Sequence, residues 1–148
     1  MNDKLEACVD LGGRRSIKRE NLHIHSYIAS HDVKDEGMTP EAIVATAVAE
    51  DLQIIAVADH NEIGNVQRAV EAGVAAGVLV IPAVELSTPE GHLLCYLPDV
   101  SSLLRFHGRL DVVDRGLDIS RCRNAMHSCL DIAVDLGGFC VLAHVDGG

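Results

Sequence analysis

From Asn21 onward the apolar and polar positions of the chain fall into two alternating rhythms. Short runs predict strands at "NLHIHS" (21–26), "QIIAVADH" (53–60), "VLVIPAVELS" (78–87), "GHLLCYLP" (91–98) and "FCVLAHV" (139–145). The almost wholly apolar run of the second suits a strand covered on both faces, as in a parallel sheet. Between them the apolar period lengthens to that of a helix. It picks out Ile43, Val44, Ala47, Val48 and Leu52, then Val66, Ala69, Val70, Gly73 and Val74, and finally Ile119, Cys122, Met126, Cys129, Leu130 and Ala133 within "DISRCRNAMHSCLDIAVDLG" (118–137). Thr39 stands as N-cap with Pro40 at the first helical position, and Gly77 provides a C-terminal stop. A shorter helix is expected around "SSLLRFH" (101–107), and a tight turn through Pro89, Glu90 and Gly91. The predicted order β-α-β-α-β-β-α-β makes one α/β domain over 21–148, with a mostly parallel sheet that is open or curled into a barrel. Residues 1–20, with the basic cluster "GRRSIKRE", read as a polar lead-in.

The polar residues that interrupt this pattern fall at particular places. His23 and His25 close the first predicted strand, Asp59 and His60 the second, Glu85 lies near the end of the third, and His144 near the end of the fifth. Active sites of parallel α/β folds assemble at the carboxyl ends of the strands. His92 opens the fourth strand, and an antiparallel course would bring it to the same edge. His23 and His25 are two apart, so a regular strand points both to one face. His31 follows in the next loop. Six of the eight histidines thus gather at one predicted edge; His107 and His127 fall elsewhere and read as bystanders. Mixed imidazole and carboxylate ligation suits Zn, Mn or Fe rather than Ca or a zinc finger. Six histidines and a carboxylate exceed the needs of one tetrahedral ion and point to two or three divalent transition-metal ions. Clustered ions of this kind hydrolyse phosphate esters.

Composition narrows the partners. Aromatics are 3% of the chain and Trp is absent, so the core rests on Ala, Val, Ile and Leu, which favours alternating strands and helices over a β-sandwich. A net charge of −10 argues against broad electrostatic capture of nucleic acid, although bound cations would offset many carboxylates. No apolar run approaches the roughly 20 residues that span a bilayer. Five cysteines without a CxxC pair, in a chain whose first residues lack a secretory h-region, indicate reduced thiols and a cytoplasmic location.

Four segments in this order resemble the motifs of the PHP family (polymerase and histidinol phosphatase): "LHIHS", "VADHNEIGN", "PAVELSTPEGHLLCYL" and "VLAHVDGG". The resemblance implies a distorted seven-stranded β/α barrel, a trinuclear metal centre and phosphoesterase activity on a small phosphate ester or a nucleic-acid end. By position in the motifs, His23 and His25 hold one ion with Glu85 bridging to another. His60 holds a second ion with His31, unless Asp32 takes that place. Glu85, His92 and His144 hold a third. Asp59 has a catalytic role, orienting a ligand or a water. Asn21 and Val145 stand where the family commonly has Asp and Pro, and the late Asp-x-His of the family is not found in the chain. The expectation is therefore an N-terminal portion of a longer protein, with further strands or domains after Gly148. Two other functions fit the same residues: an amidohydrolase-like barrel, which also opens on His-x-His, and a catalytically incomplete PHP-like domain serving as a binding or regulatory module.

Overall fold

The structure is a computed structural model that describes residues 4–8, 17–27, 29–30 and 32–143. Among the described residues eight strands and four helices follow in the order β1 (Lys4–Cys8), β2 (Ile17–Ile24), α1 (Pro40–Ala49), β3 (Ile54–Val57), α2 (Val66–Ala76), β4 (Leu79–Thr88), β5 (Gly91–Tyr96), α3 (Val100–Gly108), β6 (Val112–Val113), β7 (Arg121–Cys122), α4 (Met126–Asp135) and β8 (Phe139–Leu142). Six strands form one sheet in the order β1-β2-β3-β4-β5-β8, and β6 and β7 make a separate two-stranded ribbon. The expectation of a mostly parallel sheet is corrected: β2, β3 and β4 run parallel, whereas β1–β2, β4–β5 and β5–β8 are antiparallel. The two-residue turn at Pro89 and Glu90 leaves no length for a crossover helix, so β5 must return antiparallel beside β4. The fold is mixed α/β, a curled sheet that fits part of a barrel.

Two layers of side chains explain the curl. On the outer face Ile55, Val57 and Val80 meet Ile43, Val44 and Ala47 of α1 and Ala69 of α2. Val84, Leu86, Leu93 and Cys95 meet Phe106 of α3 and Cys129 and Ala133 of α4. The inner face is lined by Ala56, Ala58 and Ala83 with Leu94 and Tyr96. Small residues on the concave side let the strands close in, while the branched residues spread on the convex side beneath the helices.

Local signals hold where they were clearest. The Thr39 hydroxyl accepts from the Ala42 N–H at 3.2 Å, with Pro40 at the first helical position. Gly77 adopts the left-handed conformation (φ 77°) that ends α2. The expected helix over 118–137 starts only at Met126. The residues before it form β7, because the Arg123 N–H donates to the Asp111 carbonyl at 2.8 Å and the Asp111 N–H to the Asn124 side chain at 2.7 Å. Ala125 offers no capping side chain, and Glu90 from the β4–β5 turn instead accepts the Met126 N–H at 2.6 Å. The segment expected as a polar lead-in contributes β1 and the first half of β2. Among the described residues no helix is long and apolar enough to cross a membrane.

Gly73 is where α2 comes closest to the sheet. A Cβ there would stand 2.5 Å from the Val78 carbonyl oxygen and 2.6 Å from Val80 Cγ2. Gly73→Ala is expected to lower stability by about 1–3 kcal/mol despite the better helix propensity of alanine, as read by urea unfolding. Gly64→Ala, where a Cβ meets nothing within 4 Å, serves as the near-neutral control.

Candidate metal centre

Glu85 sits mid-strand in β4 opposite Leu94 of β5, which turns its side chain to the concave face. It is fully buried. A carboxylate in that position requires partners for its charge, and four imidazoles surround it. His23 Nε2 lies 2.6 Å and His25 Nε2 3.4 Å from Oε1; His92 Nδ1 lies 3.0 Å and His60 Nδ1 3.9 Å from Oε2.

Each imidazole reaches the cluster for a local reason. Asn21 pairs with Ile55 and Ile24 with Val57, so Leu22 and His23 share a bulge opposite the single residue Ala56. The extra residue lets His23 face inward beside Leu22, and the Asn21 side chain accepts the His23 N–H at 3.3 Å. His25 follows directly after the strand. An isolated parallel bridge carries the β3 ladder on to His60 opposite Glu85. His92 faces inward because β5 returns antiparallel, in register with Ser87. The His25 and His60 rings stack at 4.4 Å and 11°, and the His23 ring meets His25 edge-on at 4.8 Å.

Two carboxylates stand near His60 in opposite environments. Asp32 is half exposed, and its Oδ2 lies 3.0 Å from His60 Nε2. Burial works against its ionisation, but the His60 hydrogen bond and charge outweigh it and hold its pKa below the ordinary range. Asp59 is fully buried and takes three hydrogen bonds: from the Ser26 N–H (2.5 Å), the Ser26 hydroxyl (2.5 Å) and the Ser30 hydroxyl (2.7 Å). Burial pushes its pKa up, against the pull of those donors. Ser30 also receives the His60 N–H at 3.2 Å and lies 3.4 Å from His25 Nδ1. Asn65 donates to the Ser26 hydroxyl and the Tyr27 carbonyl, both at 3.0 Å. The Asp59–serine web thus fixes the loop that carries His25.

The arrangement fits divalent metal. Three groups, His23–His25–Glu85, His25–Asp32–His60 and His60–Glu85–His92, each bring ligand atoms within 4.8 Å of one another. Donors around a single Zn-sized ion lie about 3–4 Å apart, so small contractions suffice. Protonation also favours ligation. Burial and the neighbouring His60 lower the pKa of His25 to about 4, leaving its lone pair free at neutral pH. Burial opposes ionisation of Glu85, yet the His23 hydrogen bond and the surrounding imidazoles together hold its pKa to about 2.

No family model matches the chain, and no curated protein matches it. Solved structures do. An amidohydrolase from Chromobacterium violaceum, with bound sulfate and no metal, superposes with a TM-score of 0.64 at 16% identity, over 87% of this chain and 69% of its own. A two-domain protein from Bacteroides vulgatus, containing a predicted PHP-like metal-dependent phosphoesterase, superposes with a TM-score of 0.58 at 16% identity, over 94% of this chain and 34% of its own. The chain has their fold. The chain spans about a third of the Bacteroides protein.

Of the residues singled out by sequence, His23, His25, His60, Glu85 and His92 come together, and Asp59 lies behind them. His31 and His144 lie outside the described residues. Asp32, the alternative to His31, meets His60. His107, read as a bystander, donates to or accepts from no cluster member among its described contacts; its Nε2 lies 3.1 Å from the Asn61 carbonyl. Ser26, Ser30 and Asn65 were not singled out, although Ser26 closes the segment "LHIHS", Asn65 closes "VADHNEIGN", and Ser26 and Ser30 form an i, i+4 pair after His25.

Asp59→Ala removes the acceptor of three buried donors at once. The expected loss is about 3 kcal/mol in urea unfolding, with Asp59→Asn, which keeps one oxygen, losing less.

Proposed function

We propose that the chain hydrolyses phosphate esters with divalent metal held by the Glu85 cluster. The observation that carries this proposal is the fully buried Glu85 carboxylate set among four imidazoles, a donor set shared between three potential ion positions. His23, His25 and Glu85 would hold one ion, His25, Asp32 and His60 a second, and Glu85, His60 and His92 a third. His31 and His144 are proposed as further ligands from their place in the motifs. Divalent ions of the Zn, Mn or Fe type, two or three in number, supply the Lewis acidity that activates water and offsets charge developing on a phosphoryl group.

The chain's own residues do the positioning. Glu85 stays ionised throughout the neutral range and bridges the His23–His25 side to the His60–His92 side. Asp59 acts through the loop: it holds Ser26 and Ser30, which set His25 and the backbone of His60, so its role is orientation rather than contact with substrate. His92 is the most exposed imidazole of the cluster and marks the side from which an ester reaches it. The substrate class is a phosphate ester, either a small molecule or a nucleic-acid end, and the acidic chain favours the small molecule.

Metal analysis with a phosphatase assay on the whole chain tests this proposal. The chain should carry at least two transition ions and hydrolyse an aryl phosphate, losing activity to a chelator and regaining it with Mn or Zn. His23→Ala and Glu85→Gln should each lower the metal content and reduce turnover at least about 100-fold. Metal-free protein at neutral pH, or hydrolysis of carboxamides with none of phosphate esters, overturns it.

A further inference from the structure

On the outer face of the sheet, away from the imidazoles, Cys95 of β5 stands directly opposite Cys140 of β8, with the two Sγ atoms 3.4 Å apart. The register shows what kind of pair this is. The Ala143 N–H donates to the His92 carbonyl at 3.1 Å, so His92–Ala143 is a hydrogen-bonded pair of the β5–β8 ladder. Pairs alternate along an antiparallel ladder. Leu93–Leu142 is then non-hydrogen-bonded, Leu94–Val141 hydrogen-bonded and Cys95–Cys140 non-hydrogen-bonded. On its other side β5 bonds β4 through the Leu97 N–H and the Pro82 carbonyl, which by the same alternation turns the Cys95 backbone groups toward Val84. Non-hydrogen-bonded pairs hold their Cα atoms about 4.5 Å apart with the side chains drawn together. That separation lies inside the range that a disulfide spans.

From this geometry we propose that Cys95 and Cys140 are a disulfide-forming pair, an intramolecular modification site for thiol oxidants of the low-molecular-weight disulfide class. A second close pair, Cys122 and Cys129, has its sulfurs 3.8 Å apart, but both residues are fully buried. Among Cys95, Cys122, Cys129 and Cys140, Cys140 is the partly exposed thiol, on the outermost strand of the sheet. The hydrogen bond that it shares with Cys95 holds Cys140 below the ordinary thiol range and Cys95 above it, so the accessible sulfur is also the better nucleophile. Cys140 thiolate attacks one sulfur of the oxidant, forming a mixed disulfide and releasing one thiolate. Cys95 then attacks Cys140 Sγ and expels the second thiol, its own proton passing to the departing thiolate. The sum is two protein thiols and one small disulfide giving one protein disulfide and two small thiols. The product clamps β8, at the edge of the sheet, to the strand that carries His92. It closes a long loop between β5 and β8 and stabilises the folded state accordingly.

The experiment treats the reduced whole chain with oxidised glutathione, alkylates the remaining thiols and maps them by mass after chymotryptic digestion, which cuts between Cys129 and Cys140. Expected are the loss of two alkylatable thiols, a mass lower by two hydrogens, a Cys95–Cys140 cross-linked peptide, and a melting temperature higher by about 5 °C. Cys140→Ser should abolish all four, while Cys129→Ser should retain them. A stable glutathione adduct on Cys140 without ring closure, or a link between Cys122 and Cys129 in its place, overturns the proposal. The peptide map of the unsubstituted chain decides the matter even if Cys140→Ser fails to fold. Because the mapping reads sulfur connectivity alone, its outcome is independent of any phosphatase result.

Discussion

A fully buried, ionised carboxylate at the middle of β4 constrains everything built around it. Glu85 is flanked along its strand by Val84 and Leu86, which pack among the apolar residues beneath the helices. A one-residue slip of β4 would exchange the faces and drive the charge into that apolar layer. The register of three strands is therefore tied to a single side chain. The imidazoles that meet it arrive from β2, from the end of β3 and from the start of β5, so the charge is compensated only when all three strands are in place. With Asp32 also held ionised beside His60, the pocket carries two negative charges and several lone pairs. That combination is the electrostatic complement of divalent cations.

Most strands and helices that follow Asn21, though not the short β6 and β7, could be read from the chain because packing and local propensity agree there. Capping residues, apolar spacing and burial all assign α1 and α2, and unbroken apolar runs assign β3 and β4. The beginning of α4 was misread for the opposite reason. Ile119 and Cys122 keep a helical spacing with Met126, but Asp111 and Asn124 offer the backbone other partners, and Ile119 stays exposed. Nothing in a helical period reports such a distant acceptor. The strand segments before Asn21 were hidden by their charges: Lys18, Arg19 and Glu20 read as solvated, yet their backbone pairs with β1, whose partner residues lie too far back in the chain for local periodicity to report.

The ligand cluster was legible for a different reason, the coincidence of polar residues with predicted strand ends. That placement gathered His23, His25, His60, Glu85 and His92 without any knowledge of their angles. It left out Ser26, Ser30 and Asn65, whose parts depend on the path of the loop after His25 rather than on residue type. It also rested on a regular strand for His23 and His25. The structure reaches the same face through a bulge, with Leu22 and His23 opposite one alanine. Without that extra residue, the inward turn of Leu22 onto the alanine-lined face would have sent His23 outward. Asn21 takes up the N–H that the bulge presents.

The two carboxylates beside His60 show why an acidic residue next to a histidine does not by itself define a role. Asp59 is adjacent in sequence to His60 and buried, and serine hydroxyls and a backbone N–H fill its oxygens, so it has little capacity left for a ligand. Asp32 is distant in sequence and half exposed, and one of its oxygens points at the ring nitrogen of His60. Burial raises the pKa of the first, and the imidazole lowers that of the second. The exposed, more acidic carboxylate is the one able to exchange a hydrogen bond for a cation at small cost, because water already solvates it and no buried donor is stranded when it turns. Asp59 could do so only by releasing three donors that hold the loop beneath His25. The division of labour between them, one ligating and one orienting, follows from that difference in what each would leave unpaired.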